Sequence, residues 1–131
     1  MPTLTPKLTL DSSDHVTGEN LSLSVDSTLA IGPPYTGLSR LAIANASGSA
    51  SMLVPAGSEN QYVYVKHTGF ASDGSTATDH EVCLELGGTT DLLRLKSGEF
   101  CFFTSKSSVT VEALSSSTST ILIEYAYWTD A

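Results

Sequence analysis

Apolar residues recur at every second position through most of this 131-residue chain, and no window carries the i, i+3, i+4, i+7 stripe of an amphipathic helix. A period of two sends successive side chains to opposite faces of an extended strand, so the chain must build sheets and cover at least one face of each. The pattern predicts an all-β fold. Leu8 and Leu10 share a face of one strand, and Leu21, Leu23 and Val25 share a face of the next with Ser22 and Ser24 opposite, which reads as two half-buried strands. Further alternating runs cover 38–44, 51–54, 61–67, 81–86, 91–95, 99–103, 108–113 and 118–128. The stretch IGPPYTG at 31–37 holds two prolines and two glycines and is expected to be a loop or a break between strands.

Nine or ten short strands separated by frequent turn signals point to an antiparallel β-sandwich, and a jelly roll is the natural version at this size. The length suits one domain that buries roughly two-thirds of the surface its unfolded chain exposes. Residues 1–19 are expected to form an extended arm and a first strand, and 20–131 the sandwich. In the last strand, Ile121, Ile123, Tyr125 and Tyr127 share one face while Leu122, Glu124, Ala126 and Trp128 share the other. The polar run TGFASDGSTATDH at 68–80 is long for a connection in a compact domain and reads as an exposed interaction loop.

Charge narrows the partners. The net charge is −8, and Lys7, Arg40, Lys66, Arg94, Lys96 and Lys106 are scattered, whereas phosphate binding relies on clustered cations. Nucleic acid and anionic membrane surfaces are therefore disfavoured. Ser and Thr supply 36 of the 131 residues, a polar skin over the expected core. The start, MPTLTPKLTL, lacks the basic and apolar regions of a secretory signal, so synthesis in a cytoplasm is expected, with Cys83 and Cys101 as thiols.

Catalytic signals are thin. His15, His67 and His80 sit in no catalytic motif, and no G-x-S-x-G elbow is present. Cys101 lies between Phe100 and Phe102, where a thiol behaves as a small hydrophobe. Asp11, Asp14 and His15, or Asp73, Asp79 and His80, are conceivable cation ligands, but neither run reproduces an EF-hand loop, and turn capping by these acids is the expected role. No catalytic residue, metal or cofactor is expected.

Interaction signals are stronger. In the cassette LKSGEFCFFTSKSSVTVEAL at 95–114, Phe100 and Phe102 are expected to point inward and Cys101 with Phe103 outward. An aromatic on the outer side needs a cover, and a second subunit is the economical one, so a homo-oligomer, a trimer foremost, is expected. The candidate partner-binding residues are Pro2, Leu4 and Pro6 in the proline-bearing arm, with Tyr35, Phe70, Phe103 and Trp128.

The order YVYVKHTG, a polar loop, the hairpin LGGTTDLLRLKSGEF, the strand VTVEA and a closing strand IEYAYW resembles small β-sandwich structural proteins of tailed bacteriophages, over about residues 40–128. Leu95, Gly98, Glu99 and Phe100 match the turn that opens a strand, and Glu124, Tyr125 and Trp128 the closing strand. The resemblance implies a virion component made in the host cytoplasm, a head decoration or cement protein bound to the major capsid protein. A tail or fibre module that binds a host surface glycan is the alternative, and a small cysteine hydrolase a remoter one.

Overall fold

The computed structural model describes residues 1–13, 21–44 and 50–131. Among them, every regular element is a strand: β1 (Thr3–Leu4), β2 (Lys7–Ser12), β3 (Leu21–Asp26), β4 (Leu29–Tyr35), β5 (Ser39–Ile43), β6 (Ser51–Val54), β7 (Gln61–His67), β8 (Val82–Leu86), β9 (Thr89–Leu95), β10 (Phe100–Ser105), β11 (Val111–Ser115) and β12 (Ile121–Asp130). Among the described residues, no helix is long and apolar enough to cross a membrane.

The pairing of the last eight strands is nested. β5 pairs with β12, β6 with β11, β7 with β10 and β8 with β9, all antiparallel, as in one long hairpin rolled up on itself. Contacts of β12 with β7 and of β11 with β8 then close two sheets, β5-β12-β7-β10 and β6-β11-β8-β9. That order is a jelly roll, so the expected antiparallel sandwich is present in its expected form. β4 and β1 extend the first sheet beyond β12.

The inner faces meet in one cluster. Ile43, Val63, Val65, Ile121, Ile123 and Tyr127 come from the first sheet, and Val54, Val82, Leu84, Leu95, Val111 and Ala113 from the second. Each aliphatic side chain buried there contributes about 1.5–3 kcal/mol. The alternation of β12 is reproduced as expected, with Ile121 and Ile123 fully buried and Leu122 and Glu124 half-buried on the other side.

Three sequence expectations are corrected. IGPPY is a strand, not a loop: β4 pairs with β12 at Ile31, Gly32 and Tyr35, and Pro33 and Pro34 fall in the register shift between Gly32↔Thr129 and Tyr35↔Trp128. A bulge asks for no ladder hydrogen bond from those residues, so the missing proline N–H groups cost little there. The faces of β10 are exchanged. Cys101 and Phe103 pair with Val65 and Val63 and pack against the core, while Phe100 and Phe102 point outward. Finally, β3 lies outside both sandwich sheets. It pairs with β2 in a separate two-stranded ribbon, so the arm expected to end at residue 19 continues through Asp26, and the boundary itself lies outside the described residues.

Candidate interaction surface

The ribbon is built by the same alternation that builds the core, with a different outcome. Its register sets Leu8 opposite Val25, Leu10 opposite Leu23 and Ser12 opposite Leu21. Directly opposed residues share a face, so Leu8, Leu10, Leu21, Leu23 and Val25 form one apolar surface. Lys7, Thr9, Asp11, Ser22, Ser24 and Asp26 take the other face, where the Ser22 hydroxyl donates to Asp11 Oδ1 at 3.0 Å. All five apolar residues are 40–48% exposed. The expected half-buried strands are thus paired with each other and not covered by the sandwich.

β10 is an edge strand of its sheet and presents Phe100, 61% exposed, and Phe102, 41% exposed, on the outer face. Phe102 stacks on Tyr62 of β7 with ring centroids 6.5 Å apart and planes 11° from parallel. Pro6 to Leu8 and Val25 to Ser27 at the base of the ribbon line an open groove of about 540 Å³ together with Phe100, Cys101 and Phe102. Leu8 and Val25 therefore belong to both the ribbon face and the groove. The apolar surface runs on from ribbon to sheet.

Farther across the outer face, Tyr35, Trp128 and Tyr62 occupy adjacent register positions on β4, β12 and β7. Sheet pairing brings together Tyr35 and Trp128, two residues singled out in the sequence, 93 positions apart. Two rows along, Glu124 lies between Arg40 on β5 and Lys66 on β7; Arg40 Nε approaches Glu124 Oε2 at 3.7 Å, and the Tyr64 hydroxyl donates to Glu124 Oε1 at 3.2 Å. This charged ladder borders the aromatic run.

The remaining candidates are distributed differently. Phe103 leaves the surface because it packs against the core. Pro2, Leu4 and Pro6 are not a free arm. Thr3 and Leu4 pair with Ala30 and Leu29, the Ile31 N–H donates to the Pro2 carbonyl at 3.1 Å, and the Ser27 N–H donates to the Pro6 carbonyl at 3.3 Å. Phe70 is exposed on the 68–80 loop, in a recess of about 190 Å³ shared with Arg40, Lys66, Thr68, Gly74, Leu122 and Glu124. Sequence reasoning missed Phe100, Phe102 and the ribbon leucines. The signal was present in the doubly apolar run FCFF and in a leucine alternation lying next to an arm.

The 68–80 loop is firmly held. His67, fully buried, accepts a hydrogen bond at Nδ1 from the Gly69 N–H at 2.9 Å and uses Nε2–H to donate to the His80 carbonyl at 2.8 Å, so one ring ties both ends together. Asp73 accepts from the N–H groups of Ser75 and Thr76 and from the Thr76 hydroxyl, and these hydrogen bonds lower its carboxyl to about 2. It performs the turn capping read from the sequence. Leu122 N–H donates to the Phe70 carbonyl and the Thr68 hydroxyl to the Leu122 carbonyl, fastening the loop to β12.

Both cysteines are free thiols. Burial pushes Cys101 up to about 11, and burial raises Cys83 despite the neighbouring Arg94 guanidinium. A thiol in that state is a poor nucleophile at neutral pH. Among the described residues, no group of three or more His, Cys, Asp and Glu side chains is placed to hold a metal ion. Asp14 and His15 lie outside the described residues. The arrangement as a whole offers apolar and aromatic contact area.

No protein-family model matches the sequence, and a comparison with curated proteins finds no match. Among solved structures, the cupin domain of Schizosaccharomyces pombe Cnp3 is similar at 12% identity and a TM-score of 0.35, over 95% of this chain and 88% of that one. The jelly-roll assignment stands on the strand pairing itself.

Proposed function

We propose that this chain is a structural subunit of a bacteriophage virion, a decoration or cement protein that holds neighbouring capsid subunits together. The observation that carries the reading is the exposed apolar face of the β2–β3 ribbon, continued by Phe100 and Phe102, which marks the chain as a subunit of an assembly without itself selecting the capsid as its partner. Five half-exposed aliphatic side chains going from water to a dry contact contribute roughly 5 kcal/mol per copy. Repetition over a lattice turns such contacts into an avid clamp. The sequence resemblance to small phage β-sandwich proteins supports the setting, and the thiols held protonated fit a role without nucleophilic chemistry. Quantitative composition of gradient-purified particles, with copies counted against the major capsid protein, tests the reading. Hundreds of copies per particle are expected, and absence from particles overturns it.

One observation favours a tail or fibre module that binds a host glycan. Phe70 shares its recess with Arg40, Lys66 and Glu124, an aromatic face beside charged hydrogen-bonding groups. That reading predicts a handful of copies per particle and loss of cell binding on Phe70→Ala with particles intact.

A further inference from the structure

Resting on the reading of the chain as an assembly subunit, we infer that the apolar face of the β2–β3 ribbon is a homotypic interface, occupied by the same face of a second copy packed across a two-fold axis. The chemistry of the face selects this occupant. Leu8, Leu10, Leu21, Leu23 and Val25 carry no charge, and the register sends Lys7, Asp11 and Asp26 to the opposite side. A heterologous partner is selected by complementary charge and polar contacts, which this face does not offer beyond Ser12 at its end. Two copies of a chain with net charge −8 repel at long range, so a surface free of charge is where they can meet.

Geometry and area agree. A two-stranded β surface is self-complementary under a two-fold rotation, and facing β layers pack about 10 Å apart with side chains interdigitated. The opposed pair Leu10 and Leu23 sits at the middle of the ribbon and marks the axis. The five aliphatic residues with Phe100 and Phe102 expose roughly 600 Å² of apolar surface per copy, at the upper end of what a monomer leaves open. A specific interface buries about 800 Å² per partner, so this face and a modest polar rim suffice. Leu8 and Val25 also line the groove beside Phe100 and Phe102, whose lining includes Lys7 and Asp26, so a second ribbon laid on the first reaches a groove that supplies polar rim as well as apolar area. The assembly unit becomes an isologous pair in place of the trimer expected from the sequence.

Sedimentation equilibrium on the full chain tests this. The wild type is expected to form dimers, or multiples of dimers, at micromolar concentration. Leu10→Asp with Leu23→Asp is expected to weaken association on the order of a hundredfold or more, with circular dichroism unchanged, while Met52→Ser on the exposed face of the other sheet leaves association intact. A wild-type monomer at tens of micromolar, a trimer with no dimer step, or association untouched by the double variant overturns the inference. If the double variant does not fold, Leu23→Cys in a mixture of isotope-labelled and unlabelled protein decides: a bis-maleimide link, long enough to span the roughly 10 Å between facing layers, joining one copy of each supports the pair, and its absence overturns it. A monomer that is abundant on particles overturns the inference and leaves the virion reading standing. A ribbon-mediated dimer absent from particles keeps the inference and removes that reading.

Discussion

Replacing His67 by Phe tests whether one buried ring holds the 68–80 loop. The imidazole is fully buried, accepts from the Gly69 N–H at 2.9 Å and donates to the His80 carbonyl at 2.8 Å. Phenylalanine fills similar space, so the cavity contribution is small and the loss is that of two hydrogen bonds. A backbone group left without a partner costs about 1–3 kcal/mol when fully buried. Gly69 and His80 are only half-buried, so water recovers part of this. The expected loss is about 2–4 kcal/mol, seen in urea as a midpoint lowered by roughly 1–2 M with unchanged slope. Hydrogen exchange separates local from global effects. The Gly69, Ala71, Gly74 and Thr78 amides, which donate within the 67–80 segment, should lose protection before the β7–β12 ladder does. A variant within about 0.5 kcal/mol of wild type, with the loop amides still protected, would refute the anchoring argument.

Gln61 is fully buried, and neither polar atom of its amide has a hydrogen-bond partner among the described residues. Gln61→Met, similar in length and volume, should therefore stabilise the fold by about 1 kcal/mol in denaturant titration, and a clear loss would show that the amide is satisfied. Cys101, at about 11 against an ordinary 9.0, has a raised folded value, so its contribution is fully present below pH 9 and is lost as pH climbs through 11. Alkylation at pH 8 should accordingly be slow until the chain unfolds, and rapid native labelling at Cys101 contradicts its placement. Asp73 shifts the other way, from 3.8 to about 2, so the turn it caps is supported above pH 3.8 and loses that support as pH falls through 2. A carboxyl titration followed by NMR should show that low midpoint, and Thr76→Ala should move it back toward 3.8.

Strand positions were readable because burial of one face imposes a period of two wherever a strand meets the core. β6 and β7 lie where the alternation put them, β8 within one residue and β12 within three. Which face goes in was readable only where the two faces differ. In FCFF both are apolar, and counting phenylalanines chose the wrong one, because the register with Val63 and Val65 turns Cys101 and Phe103 inward. IGPPY misled for another reason. Proline forbids a ladder hydrogen bond, yet a register shift in β4 removes the need for one, and that shift arises from pairing with a strand nearly a hundred residues away.

Alternation and turn residues are local properties, so the sequence by itself determined an all-β chain, most of its strand positions and the capping turn at Asp73. Tertiary structure decided everything that depends on which strands become neighbours. It nested the eight strands into a jelly roll, brought Tyr35 beside Trp128, closed the 68–80 loop on His67, and left the leucines of β2 and β3 facing outward. The physical reason lies in what a period of two can say. It states that a strand has an apolar face, but only a neighbour, from the same chain or from a second one, determines what that face meets.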